Sequence, residues 1–178
     1  MTPDERGTFP PALTAVAGVA FDHRDGEGIE YEPFEAFMTA EETTRWLRIW
    51  TGNRDLDGSA FKVFGQDGTG GNAAFWLIRP GRELTGQPIV FFGSEGELGV
   101  VAADLAGYLW LLADGLGPYE ATSHPEQPGR PSPELTEIAE RYAPGRRQSA
   151  AEVIAAARRE FPGFASIING MCRLADEY

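Results

Sequence analysis

Between Phe61 and Leu116 the chain alternates short apolar runs with glycine-rich turns, then switches to one strongly apolar helix. The runs are Phe61–Phe64, Ala73–Arg79, Ile89–Phe92 and Leu98–Ala102, each bounded by Gly, Pro, Asn or Asp. Such runs read as strands of an antiparallel meander. Ala73–Ile78 is apolar at every position, which predicts a central strand covered on both faces. The helix is expected over Leu105–Asp114, with Asp104 as N-cap and Gly115 as its stop. Leu105, Tyr108, Leu109, Leu112 and Leu116 fall on one stripe. Trp110 lies off that stripe, either packed under another segment or standing as an exposed anchor.

A chain of 178 residues fits one domain and can bury a core without disulfides. The expected fold is α+β: an antiparallel meander of about four to six strands flanked by helices, with a C-terminal helical extension. Three regions follow. Residues 1–30 form a weakly structured N-terminal arm, in which His23–Gly28 reads as a charged loop. Residues 31–120 form the core domain, and residues 121–178 a proline-rich linker and helical tail packed on it.

Within the core, Thr39 and Glu42 have capping-box spacing and open a helix to Thr51. Thr43, Trp46, Leu47 and Trp50 share one face of it, which favours core packing over a ligand platform. In the tail, Gly117-Pro118 and His124–Pro133 read as irregular linker. Helices follow over Glu134–Tyr142, from Ser149 to Glu160, and over Phe164–Leu174.

Catalytic chemistry finds little support. The only histidines, His23 and His124, fall in expected loops without a motif around them. The single Cys172 excludes an intramolecular disulfide and a cysteine-based zinc site, and reads as a small core residue. Gln66–Gly71 lacks the spacing of a phosphate loop and the ligand ladder of a calcium loop, so a tight hairpin turn is expected. Ser94 is not in a nucleophile elbow, because Phe92 stands where that motif needs glycine. The expectation is a non-enzyme without metal or cofactor. No run approaches the roughly 20 apolar residues that span a bilayer, and no signal peptide is read at Met1–Arg6, so a cytoplasmic location is expected.

The net charge is −12, and its distribution is uneven. Residues 1–60 carry 5 basic and 12 acidic side chains, residues 61–120 carry 3 and 7, and residues 121–178 carry 7 and 8. An acidic surface over the first two thirds repels nucleic acid and anionic membrane. It either steers a basic protein partner or serves solubility alone.

The stretches Val63–Gly71, Phe75-Trp76-Leu77, Pro88–Gly96, Val100-Val101-Ala102 and Asp104–Leu109 resemble the SMI1/KNR4 family, the SUKH superfamily. The helix running into Gly52-Asn53 is similar to that family's N-terminal helix. The resemblance covers about residues 31–120. It departs in the entry to the first helix and in the tail from residue 121. It implies an α+β protein-binding domain without shared catalytic residues. Bacterial members are immunity proteins that neutralise a cognate toxin, often a nuclease, and fungal members are scaffold or regulatory proteins. A basic toxin domain is thus the implied partner. A regulatory scaffold or a small-molecule binder is the alternative. Asp67, Glu95, Glu97, Trp110 and Asp114 are the candidate partner-binding residues, expected to stand exposed near turns.

Overall fold

Turn chemistry sets the sheet, and apolar alternation sets its two faces. A computed structural model describes residues 8–22 and 28–173. Five strands, β1 (Glu32–Pro33), β2 (Phe61–Gln66), β3 (Asn72–Trp76), β4 (Ile89–Phe92) and β5 (Leu98–Ala102), pair antiparallel in chain order. The α+β meander is therefore present. β3 is buried along its whole length, as expected of a central strand. It stops at Trp76 instead of running to Arg79. The reason is local: the Gln87 side chain accepts from Arg79 N at 2.9 Å and donates to Arg79 O at 2.7 Å, replacing strand partners.

Seven helices surround the sheet among the described residues: α1 (Pro11–Ala17), α2 (Ala40–Thr51), α3 (Leu105–Ala113), α4 (Pro118–Ser123), α5 (Pro133–Tyr142), α6 (Ala150–Glu160) and α7 (Phe164–Met171). Alternate strand residues feed two cores. Phe64, Phe75, Ile89 and Phe91 join α3, α1 and α5 on one face. Val63, Trp76, Val90 and Phe92 join Leu47 of α2 and Phe164 and Ile168 of α7 on the other. α6 gives Val153 and Ile154 to the first core and Ala157 to the second, so it reaches past the β5 edge.

α3 is apolar all round and is buried at every position but Ala106, the expected fate of such a helix. Trp110 is 4% exposed and donates Nε1–H to Ala143 O at 3.0 Å, with Arg147 over its ring. The packed alternative holds for it, and the exposed-anchor alternative does not. The tail is likewise part of the core, through Leu135, Ala139, Val153 and Phe164.

Two stretches expected to be irregular are helical. The arm contains α1, which buries Ala12, Leu13 and Val16. α4 starts at Pro118 of the expected linker and buries Pro118 and Ala121, while 124–132 is irregular as expected. In both, a proline that reads as a breaker sits in the first turn, where its missing N–H costs nothing and its fixed φ suits the helix. Residues 23–27 of the charged run, and Leu174 at the expected end of α7, lie outside the described residues. No helix among the described residues is long and apolar enough to cross a membrane.

Candidate protein-binding surface

The β2–β3 and β4–β5 turns meet at one end of the sheet. In the first, Asp67 Oδ1 accepts from Thr69 N at 2.9 Å, Thr69 Oγ1 at 2.9 Å and Gly71 N at 2.7 Å. Asp67 is 3% exposed, and its Oδ2 is buried without a hydrogen-bond partner. It builds the turn and presents no carboxylate to solvent, contrary to its expected exposure. In the second turn, Gly93 N donates to Glu97 O at 2.7 Å, and Gly96 adopts φ 98°. Ser94 Oγ donates to Thr69 Oγ1 at 3.0 Å and fastens the two tips together.

Acidic side chains gather at this end. Glu95 is exposed at its tip. Glu97 is half-buried and folds back, accepting from Glu95 N at 3.1 Å. Two further carboxylates arrive from loops and α4. Glu120 accepts from Glu30 N at 2.8 Å and from Gly117 N at 3.2 Å. The carboxylates of Glu30, Glu97 and Glu120 each lie against a glycine, Gly68, Gly93 and Gly117, where any Cβ would displace them. Backbone N–H groups therefore orient the Glu97 and Glu120 carboxylates, and Glu30 packs against Gly68. Tyr119 sits among them. Its phenol is pushed up by loss of hydration, then by Glu97, Glu30, Asp67 and Glu120. Glu30, Tyr119 and Glu120 carry no sequence signal, because residues 30 and 120 meet only in the folded chain.

Asp114 does not join this end. It caps α3 at the C-terminus, half-buried, and its Oδ2 accepts from Ala150 N at 2.7 Å, anchoring the start of α6.

The outer face of α2 borders the same tips. The capping box forms as the spacing predicts, with Glu42 N donating to Thr39 Oγ1 at 3.2 Å and Thr39 N to Glu42 Oε2 at 2.9 Å. Trp46 and Trp50 are half-buried, their rings edge-on to Phe92 with centroids 4.9 and 5.2 Å away. Ile49 between them is 77% exposed. A hollow of about 500 Å³ opens on one side, against Phe34, Phe37 and Met38. Another of about 710 Å³ opens on the other side, reaching Ser94, Glu95 and Cys172. The two tryptophans thus pack inward and line hollows at once. Ile49 escaped the periodicity argument because it falls among charged residues, beside Arg45 and Arg48.

Chemistry is sparse around both regions. His124 is exposed, its ring 5.8 Å from Tyr119. Burial pushes the Cys172 thiol up, away from thiolate reactivity. Among the described residues, no three His, Cys, Asp or Glu side chains are arranged to hold a metal ion. No protein-family model, curated protein or solved structure matches this chain.

Proposed function

We propose that the chain is a non-catalytic protein-binding module of immunity type, which neutralises a basic toxin domain in the cytoplasm by direct binding. The observation that carries this reading is the acidic end of the sheet. Glu97 is oriented by Glu95 N and Glu120 by Glu30 N and Gly117 N, the Glu30 carboxylate lies against Gly68, Glu95 stands exposed beside them, and Glu32 follows on β1. Carboxylates fixed before binding lose little side-chain entropy when a cationic partner arrives. They also steer its approach, because the potentials of the two surfaces are complementary. The SMI1/KNR4 resemblance adds weight, since its two glycine-rich stretches, 66–71 and 93–96, are the tips that meet here. An apolar face next to a charged one gives the composition of a protein interface more than that of a small-molecule pocket.

The test begins with capture at low salt. The tagged chain is incubated with lysate of its native organism, bound proteins are identified, and the activity of each is assayed with and without the chain. One basic protein should be held, lose its activity, and dissociate as salt rises. Reversing the two exposed carboxylates, Glu32→Lys with Glu95→Lys, should slow association about tenfold. If the bound protein keeps its activity, or binding ignores both salt and charge reversal, the reading is wrong.

A further inference from the structure

We propose that the outer face of α2, with the hollows on either side of Ile49, seats a cationic amphipathic helix of a protein partner. This rests on the protein-binding reading and names the chemistry that reading leaves open.

The face is shaped for side chains. Ile49 forms a ridge, and the hollows beside it, about 500 and 710 Å³, take apolar groups that straddle it. Phe34, Phe37 and Met38 wall the first hollow, Trp50 the second and Trp46 both, while Ser94 and Asn169 make the far side of the second polar. Among the described residues, Ile49 is the most exposed of the large apolar side chains, at 77% against 45% for Ile167. An exposed apolar ridge flanked by two tryptophans has the make-up of an interface hot spot.

The occupant's backbone follows from the walls. An added strand needs a free row of N–H and C=O groups. Here α2 uses its own backbone groups along the helix and presents only side chains. A helix satisfies its own backbone and needs nothing but pockets for residues three or four apart.

The occupant's charge follows from the rim. Glu42 edges the first hollow and Glu95 the second. Arg45 also edges the first hollow and pairs with Glu41 at 3.3 Å, and Arg48 keeps its charge while its Nε donates to Leu56 O at 2.7 Å, so Glu41, Glu42 and Glu95 stand against two arginines. With the chain at −12, the rim favours a partner carrying lysine or arginine along its polar face.

The probe is a labelled leucine–lysine peptide patterned with a period of about 3.6 residues, beside a scramble of identical composition. Anisotropy against the full chain should show the patterned peptide about tenfold tighter than the scramble. Ile49→Ser should erase that difference, and Ile49→Lys should weaken the patterned peptide further. Exposure of this side chain lets both variants fold, which far-UV circular dichroism checks. Equal binding of the two peptides, or an advantage that survives Ile49→Ser, overturns the helix seat. Salt-sensitive binding of both peptides alike would still support the acidic-surface reading, so the two proposals fail separately. Sedimentation provides the last arm. A dimer that Ile49→Ser dissolves would give this face to a second copy of the chain and overturn the proposal.

Discussion

Trp50 Nε1 donates to Gly93 O at 2.8 Å and so ties α2 to the β4–β5 tip. The bond spans 43 positions of sequence and joins the aromatic face to the acidic one. Trp50→Phe keeps a ring against Phe92 but removes the donor. It should lower stability by about 1 kcal/mol, the net worth of one such bond. The local effect should be larger than the global one. Amide exchange at 93–97 should speed up, while exchange in β3 should follow only the global loss. Unchanged protection of the tip would mean that Trp50 does not hold it.

Asp67 was expected to meet a partner, and the structure gives it the β2–β3 turn instead. Its Oδ1 gathers three donors while Oδ2 is buried without one. Asp67→Ala removes the acceptor and leaves Gly71 N, in a buried residue, without its bond. A loss of about 2–3 kcal/mol is expected, because charged hydrogen bonds are the stronger kind. Asp67→Asn keeps an acceptor and relieves a buried charge, so it should cost clearly less. Urea midpoints of both variants decide it. If Ala and Asn cost the same, the three bonds do not carry the turn.

The strands β4 and β5 were legible to the residue, because apolar runs bounded by Pro88, the Gly93–Gly96 turn and Asp104 leave little choice of register. The capping residues Thr39, Asp104 and Ser149 were legible because their side chains accept from their own helices, three residues on. What sequence could not supply was long-range. Gln87 ends β3 through a side chain eight residues away. Glu30 meets Glu120 across 90 positions. Prolines misled where they open α1 and α4, since the same residue stops a helix from inside and starts one at its first turn. Of the five candidate contacts, the exposed tip carboxylate Glu95 stands where turn chemistry placed it. Asp67 and Trp110 are buried, with Asp67 Oδ1 and Trp110 Nε1 bonded within the fold and Asp67 Oδ2 left without a partner.

Gly115 and Gly96 both have positive φ, 94° and 98°, yet they should respond differently to alanine. At Gly96 nothing lies within 4 Å of a Cβ, so only backbone strain acts. Gly96→Ala should cost about 1–2 kcal/mol. At Gly115 a Cβ would run into the backbone N and O of Arg130. That segment is fixed, because Ser132 N donates to Ala113 O at 3.0 Å just beyond it. Strain and overlap then add, and Gly115→Ala should cost about 3 kcal/mol or more. Thermal melts of the two variants side by side test this. Equal losses would show that the 129–132 segment yields freely.

Two tyrosines, Tyr31 and Tyr108, are buried in the core on the α3 face of the sheet. Loss of hydration holds both phenols above their ordinary value, Tyr108 the more so because Tyr31 is near. A raised folded value means the native state keeps its proton where the unfolded chain, titrating near pH 10, gives it up. Their contribution to stability is therefore complete below about pH 10 and is lost as pH rises beyond it. Unfolding free energy should fall steeply from about pH 10 upward. Tyrosinate absorbance should show two of the five tyrosines appearing only with the loss of near-UV circular dichroism. Tyr31→Phe should flatten that alkaline slope while leaving the neutral fold in place. A slope unchanged by Tyr31→Phe, or all five tyrosines titrating before the fold is lost, would show that these hydroxyls do not govern alkaline unfolding.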